Sequence, residues 1–188
     1  VVARLRGGVT GHAATGDQSG DAAGHRADRA GIGVDRAAAA AAAGTVEFES
    51  ATSPGAVAPL LDRFLHFMRI SRDDKDEFLT PVMEAFFRDL ASTFSALGML
   101  RLSTLSLDGQ AIAMVWLFED ADSFYLYNSG YDPAFGHLAA GLLSKAHAIR
   151  EACELGKKRF DFLRGEEDYK RRLGGSDREL VTLALRSG

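Results

Sequence analysis

The chain has 188 residues, 46% hydrophobic and 26% charged, with a formal net charge of −4. That is enough chain for one domain with a proper core, in the composition of a folded globular protein. The acidic balance excludes a general electrostatic hold on nucleic acid phosphates, and a single cysteine, Cys153, excludes an intrachain disulfide.

Residues 1–44 are rich in Gly, Ala, Arg and Asp, with one Leu, one Ile and no aromatic residue. Such a segment cannot bury enough apolar surface to offset its ordering entropy, so it is expected to be disordered. The run Ala37–Ala43 is too short for a stable isolated helix. Arg4 and Arg6 precede no leucine-rich stretch, so the start does not read as a secretory leader. The first methionine is Met68, which marks the chain as a fragment or its start as misplaced. No apolar run approaches the ~18 residues a membrane span needs, and the expected compartment is the cytoplasm.

From Thr45 the composition changes, giving a domain expected over 45–188. Val57, Leu60, Leu61, Phe64, Leu65 and Met68 have the spacing of an amphipathic helix. Thr80-Pro81 reads as an N-cap followed by proline at the first helical position. Val82, Phe86, Leu90, Phe94 and Leu97 then recur every three or four residues, and Gly98 is placed to end that helix. Phe78, Phe86, Phe87 and Phe94 read as core rather than as a base-stacking platform.

The period then switches to two. Leu100–Leu107 and Ile112–Phe118 read as strands joined by Asp108-Gly109, a dipeptide suited to a type I′ turn. Ser123–Gly130 reads as a third strand, completing an antiparallel meander. A helix follows from about Leu138 to Leu155, ended by Gly156, with Cys153 on its inward face and His147 on a half-exposed one. Arg159–Leu163 is a short strand, expected parallel to the third because a helix connects them. A polar segment, 166–175, leads to a last strand at Glu179–Leu185. The order αα-βββ-α-β-(α)-β makes an α/β protein with a mixed sheet.

That order, with Tyr127-Asn128-Ser129-Gly130-Tyr131-Asp132-Pro133, Gly141-Leu142-Leu143, Phe160-Asp161-Phe162-Leu163-Arg164-Gly165 and Tyr169-Lys170, resembles the BioF2-like acetyltransferase domain of the GNAT superfamily. This branch is grouped with CelD-type proteins of bacterial polysaccharide gene clusters and is more distantly similar to the Fem peptidyltransferases. The resemblance covers roughly Phe48 to Leu185 and corresponds to the C-terminal of the two halves that family members usually carry. It implies a GNAT-like acyl-CoA N-acyltransferase fold. It also implies transfer from acetyl-CoA or another acyl-CoA, without a metal, to a small-molecule amine such as an amino sugar of polysaccharide or cell-envelope biosynthesis. A second GNAT-like half or a homodimer is the implied partner. Two alternatives stay open: a Fem-like transferase taking aminoacyl-tRNA, and an inactive half serving as an interaction module.

The resemblance also places the site. Backbone amides at the start of the central helix would cradle the CoA pyrophosphate, at Ala140 and Gly141 here, although the usual Arg/Gln-x-x-Gly-x-Gly/Ala signature is absent. Small residues there equally suit close packing of helix on sheet. Asn128, Ser129 and Gly130 would open the gap for the pantetheine arm, or form a plain strand-end turn. Arg164, at the carboxyl end of the next strand, would hold a phosphate or carboxylate, or pair with a neighbouring acid. Asp161 is a candidate base or a structural ion-pair member. Tyr169 stands roughly where GNAT enzymes protonate the departing thiolate. Lys170 would stabilise an oxyanion, or belong with Arg171 and Arg172 to a solvated basic run, the one RNA-facing patch the tRNA reading could use. No His/Cys/Asp/Glu spacing makes a metal site.

Overall fold

The computed structural model describes residues 1–5 and 43–179. The greater part of the glycine- and alanine-rich head, and the strand expected at Glu179–Leu185 beyond its first residue, lie outside the described residues.

One sheet is built from β1 (Val2–Arg4), β2 (Val46–Ala51), β3 (Leu100–Leu107), β4 (Gln110–Glu119), β5 (Ser123–Tyr131) and β6 (Arg159–Asp161), in the order β1-β6-β5-β4-β3-β2. The β5–β6 pairing is parallel, as expected from the helical crossover, and the others are antiparallel. The antiparallel part of the sheet is one strand wider on the β3 side than predicted. Val46, Phe48 and Ser50 alternate half-buried against exposed Glu47 and Glu49, and β2 pairs with β3 along its whole length. The first residues also depart from the expectation of disorder, since Val2–Arg4 cover the open edge of β6. Asp108 and Gly109 both take positive φ (49° and 78°), the geometry of a type I′ turn, and Asp108 Oδ1 accepts from the Thr45 amide at 2.8 Å.

The helices are α1 (Pro54–Val57), α2 (Leu61–Ser71), α3 (Asp73–Phe78), α4 (Pro81–Ala96), α5 (Ala140–Glu154) and α6 (Asp168–Arg172). α2 and α4 cover one face of the sheet over Leu100, Leu102, Met114 and Trp116. α5 covers the other over Val115, Leu117, Phe124 and Leu126. β4 lies between the two layers, so Ile112–Leu117 are all buried. Thr80 caps α4 by accepting from the Met83 amide at 3.3 Å. At its far end Gly98 (φ 68°) donates to Ser95 and Met99 donates to the Phe94 carbonyl, closing a Schellman turn.

Two helix faces differ from their sequence reading by one position. In α4 the fully inward stripe is Phe87, Ala91 and Ser95, while Val82 (77%), Phe86 (45%) and Leu97 (63%) are exposed, as is Phe78 just before the helix. In α5 the inward stripe is Ala140, Ser144, Ala148 and Ala152, and Cys153 is exposed. Both helices approach the sheet through small residues, and a hydrophobicity pattern weighted toward large side chains points past them. His147 is half-buried as expected, stacked on Phe48 with ring centroids 5.4 Å apart.

At Gly130 backbone lies against backbone. A Cβ there would lie 2.5 Å from the Met68 backbone nitrogen, so α2 packs directly on β5. Gly130→Ala is expected to destabilise the fold by about 2 kcal/mol or more, because backbone rather than a movable side chain must yield. Denaturant unfolding reads this, and an unchanged midpoint would refute the close packing.

Candidate active site

β5 and β6 pair only at Ser123↔Arg159, Phe124↔Phe160 and Tyr125↔Asp161. There β6 ends. The Phe162 amide turns to the Val1 carbonyl (2.8 Å), and Asp161 Oδ1 takes the Leu163 amide (2.8 Å), fixing Leu163 at φ 57°. β5 runs on to Tyr131, so its second half faces a strand that has turned away. A bulge adds to the divergence: Leu126 opposes Leu117 and Asn128 opposes Trp116, leaving Tyr127 extra. Between the parted strands lies a cleft of about 400 Å³.

The start of α5 forms one wall. Asp132 Oδ1 accepts from the Ala134 amide (2.9 Å) at the head of a 3₁₀ segment, Pro133–Leu138. Ala139 then takes a left-handed conformation (φ 53°, ψ 41°) and launches the helix. Ala140 and Gly141 are the first two helical residues, so their amides have no intrahelical acceptor. Ala140 is fully buried against the sheet, whereas Gly141 lines the cleft. A Cβ on Gly141 would meet the Tyr131 ring at 2.9 Å. Ala140 thus packs on the sheet, and Gly141 keeps the cleft wall free of a side chain.

Of the other sequence candidates, Asn128, Ser129, Arg164, Tyr169 and Lys170 line the cleft together. Gly130 and Asp161 do not. Gly130 is turned to α2, and the Asp161 carboxylate holds the Leu163 turn. Lys170 is buried beneath the 164–167 turn, where Nζ meets the Arg164 carbonyl (2.6 Å), the Gly165 carbonyl (3.3 Å) and Glu167 Oε2 (2.9 Å). Its donors are taken by that turn, so Lys170 fixes the loop that carries Arg164.

Three cleft cations escaped the sequence reading. Arg72 and Lys75 enter from the α2–α3 junction, and Lys75 Nζ donates to Asn128 Oδ1 (2.9 Å) and to the Ser129 carbonyl. Both sit in the run Arg72-Asp73-Asp74-Lys75-Asp76-Glu77, which reads as a solvated charged face. Lys145 lies one helical turn beyond Gly141, and that i, i+4 spacing was the available signal. In all, five basic side chains (Arg72, Lys75, Lys145, Arg164, Lys170) and one carboxylate (Glu167) line the cleft of an acidic chain.

Two groups are strongly shifted. Burial, then Glu167, pushes the Tyr169 hydroxyl up to about 12, so it keeps its proton at neutral pH. Burial, then the Lys75 charge, brings the Lys145 ammonium down from 10.5 to about 7. Burial works to raise Glu167, but the hydrogen bond from Lys170 holds its carboxyl below the usual value. Between pH 7 and 10.5 the unfolded chain holds a proton on Lys145 that the folded chain has released, so stability rises with pH across that window. Lys145→Met is therefore expected to raise the melting temperature most at low and neutral pH, with the gain shrinking as pH approaches 10.5. A gain independent of pH in thermal melts would contradict the buried charge.

Among the described residues no His/Cys/Asp/Glu group could hold a metal ion, and no helix is long and apolar enough to cross a membrane. The Acetyltransferase (GNAT) domain family model matches residues 32–171. No curated protein matches the sequence. Among solved structures, a GCN5-related N-acetyltransferase from Ralstonia eutropha is 17% identical with a TM-score of 0.55, covering 75% of this chain and 99% of its own. AAC(6')-Iy, solved with the bisubstrate analogue CoA-S-monomethyl-acetylneamine, is 13% identical with a TM-score of 0.53, covering 77% of this chain and 99% of its own. A conserved protein of unknown function from Bacteroides thetaiotaomicron is 16% identical with a TM-score of 0.55 over 77% of this chain, which spans about half (48%) of that protein.

Proposed function

Because the chain belongs to the acetyltransferase (GNAT) domain family, we propose that it transfers an acyl group from acyl-CoA to a small-molecule amine, with the donor lying between β5 and β6. The observation that carries this reading is the cleft itself, a wedge between parted parallel strands with five cations and the amino end of a 15-residue helix on its walls. A CoA ester needs those parts: donors and positive charge for its phosphates, and exposed strand edge for its amide-bearing arm. Arg164 and the Gly141 amide hold phosphate oxygens, and Asn128 and Ser129 flank the arm.

In the transfer the acceptor nitrogen bonds to the thioester carbonyl carbon, the C–S bond breaks with its electron pair on sulfur, and the proton the nitrogen releases ends on that sulfur. Tyr169 serves the departing sulfur. A phenol near 12 gives up its proton to a thiolate only uphill, since thiols titrate around 8.5, so its part is a hydrogen bond to the developing negative charge.

Within the family we assign the chain to the BioF2-like, CelD-type branch, acting in the cytoplasm on an amino sugar of polysaccharide or cell-envelope synthesis, with the domain at 45–188. Acyl-CoA is favoured over aminoacyl-tRNA because the basic run offers RNA little: Lys170 is buried and Arg171 is paired with Asp177 at 3.0 Å. A second, paired GNAT-like half is the protein partner in this reading. The test mixes the full chain with acetyl-CoA and a panel of amino sugars and follows thiol release. Release that depends on one of them supports the reading, and donor binding without transfer to any of them removes the amino-sugar assignment.

A further inference from the structure

One amine in the cleft is bound differently from the rest. Lys75 Nζ donates to Asn128 and Ser129, and Lys170 Nζ to three acceptors. Lys145 Nζ has one hydrogen bond, to the Gly141 carbonyl at 2.7 Å, and stands 5.0 Å above the centroid of the Tyr169 ring. It forms no ion pair among the described residues, and the residue is only 8% exposed. The groups around it are Arg72 and Lys75 from the α2–α3 segment, Arg164 after β6, and Glu167, Tyr169 and Lys170 at α6, so cations outnumber the one carboxylate. An amine in such surroundings loses its proton readily, and a neutral amine is a nucleophile.

We propose that Lys145 is itself an acyl acceptor: with no external amine present, its Nζ takes the acyl group from the donor in the cleft. This rests on the acyl-CoA reading of the site. The Nζ lone pair forms a C–N bond to the thioester carbonyl carbon. The C–S bond breaks with its electron pair on sulfur, and the proton released from Nζ ends on that sulfur. An N-acyl-lysine and a free thiol result, with no further reactant. The reaction is the one the family performs on other amines, turned on an amine of the site's own wall. The acylated side chain carries no charge and projects its new amide into the cleft, so it obstructs a second donor. Self-acylation thereby closes the site when acceptor is lacking.

The experiment incubates the full chain with acetyl-CoA alone, without acceptor, and locates acetyl groups by peptide mass spectrometry, with donor binding measured by calorimetry on the same samples. Lys145 should be acetylated, and about tenfold faster near pH 8 than near pH 6, following its neutral fraction. Exposed Lys158 supplies the background rate. Lys145→Arg carries a permanent positive charge and no acylatable amine, and should form no adduct in that helix. Acetyl-CoA binding with Lys145 unmodified, or modified no faster than Lys158, overturns the proposal and leaves the acyl-CoA reading standing. Absence of donor binding overturns both.

Discussion

Replacing Tyr169 by phenylalanine should lower turnover about a hundredfold while acetyl-CoA affinity stays within about threefold. The ring is held independently of its hydroxyl. It packs edge-on against Phe162 with centroids 6.2 Å apart, and Lys145 Nζ lies over its face. Phenylalanine preserves both contacts and removes only the O–H. One donor aimed at developing charge in a partly dry site contributes on the order of a hundredfold in rate. The loss should therefore appear in kcat and not in donor binding. A hydroxyl that titrates at about 12 is protonated throughout the neutral range, so the defect should be constant from pH 6 to 9. A variant as active as the parent chain would remove Tyr169 from the chemistry.

Gly141→Asp is expected to cost at least about a hundredfold in acetyl-CoA affinity, with a melting temperature lowered by about a few degrees as the Tyr131 ring gives way to the new Cβ. An acidic residue in the first turn favours a helix through its dipole, so α5 itself should not suffer. The same carboxylate stands where the donor's phosphates are expected, and like charges at such range repel by about 1 kcal/mol or more even in water. Its Cβ also presses on the Tyr131 ring, which closes the wall further. Calorimetry and thermal melts on one preparation separate the effects. Full affinity in a well-folded variant would move the phosphates away from the helix start.

Much of the sheet was legible because its signals are local. The type I′ dipeptide, the alternating runs on either side of it and the Thr80-Pro81 start are each set by neighbouring residues, and the parallel β6 follows from one crossover helix. The missed parts depend on distant chain. Val2-Ala3-Arg4 becomes a strand only because β6 offers an open edge, and nothing within the low-complexity head announces it. Helix faces slipped by one residue because the sheet selects small side chains, as at Ala91 and Ala148, over nearby larger ones.

The site divides the same way. Arg164, Tyr169, Asn128, Ser129 and Gly141 follow the resemblance into the cleft. Asp161 was misread because alternation fixes which face a strand residue occupies, but not that the strand stops there and its carboxylate caps the turn. Arg72, Lys75 and Lys145 come from other elements, and only packing reveals that a charged run and a mid-helix lysine converge on one cavity.

The central claim is that this cleft holds a CoA ester. Titrating acetyl-CoA into the full chain by calorimetry, beside Arg164→Ala, tests it most directly. The account predicts one saturable site in the parent chain and an affinity weakened about tenfold in the variant, whose lost guanidinium removes a charge-assisted phosphate contact. A folded chain that takes up no acetyl-CoA would contradict it.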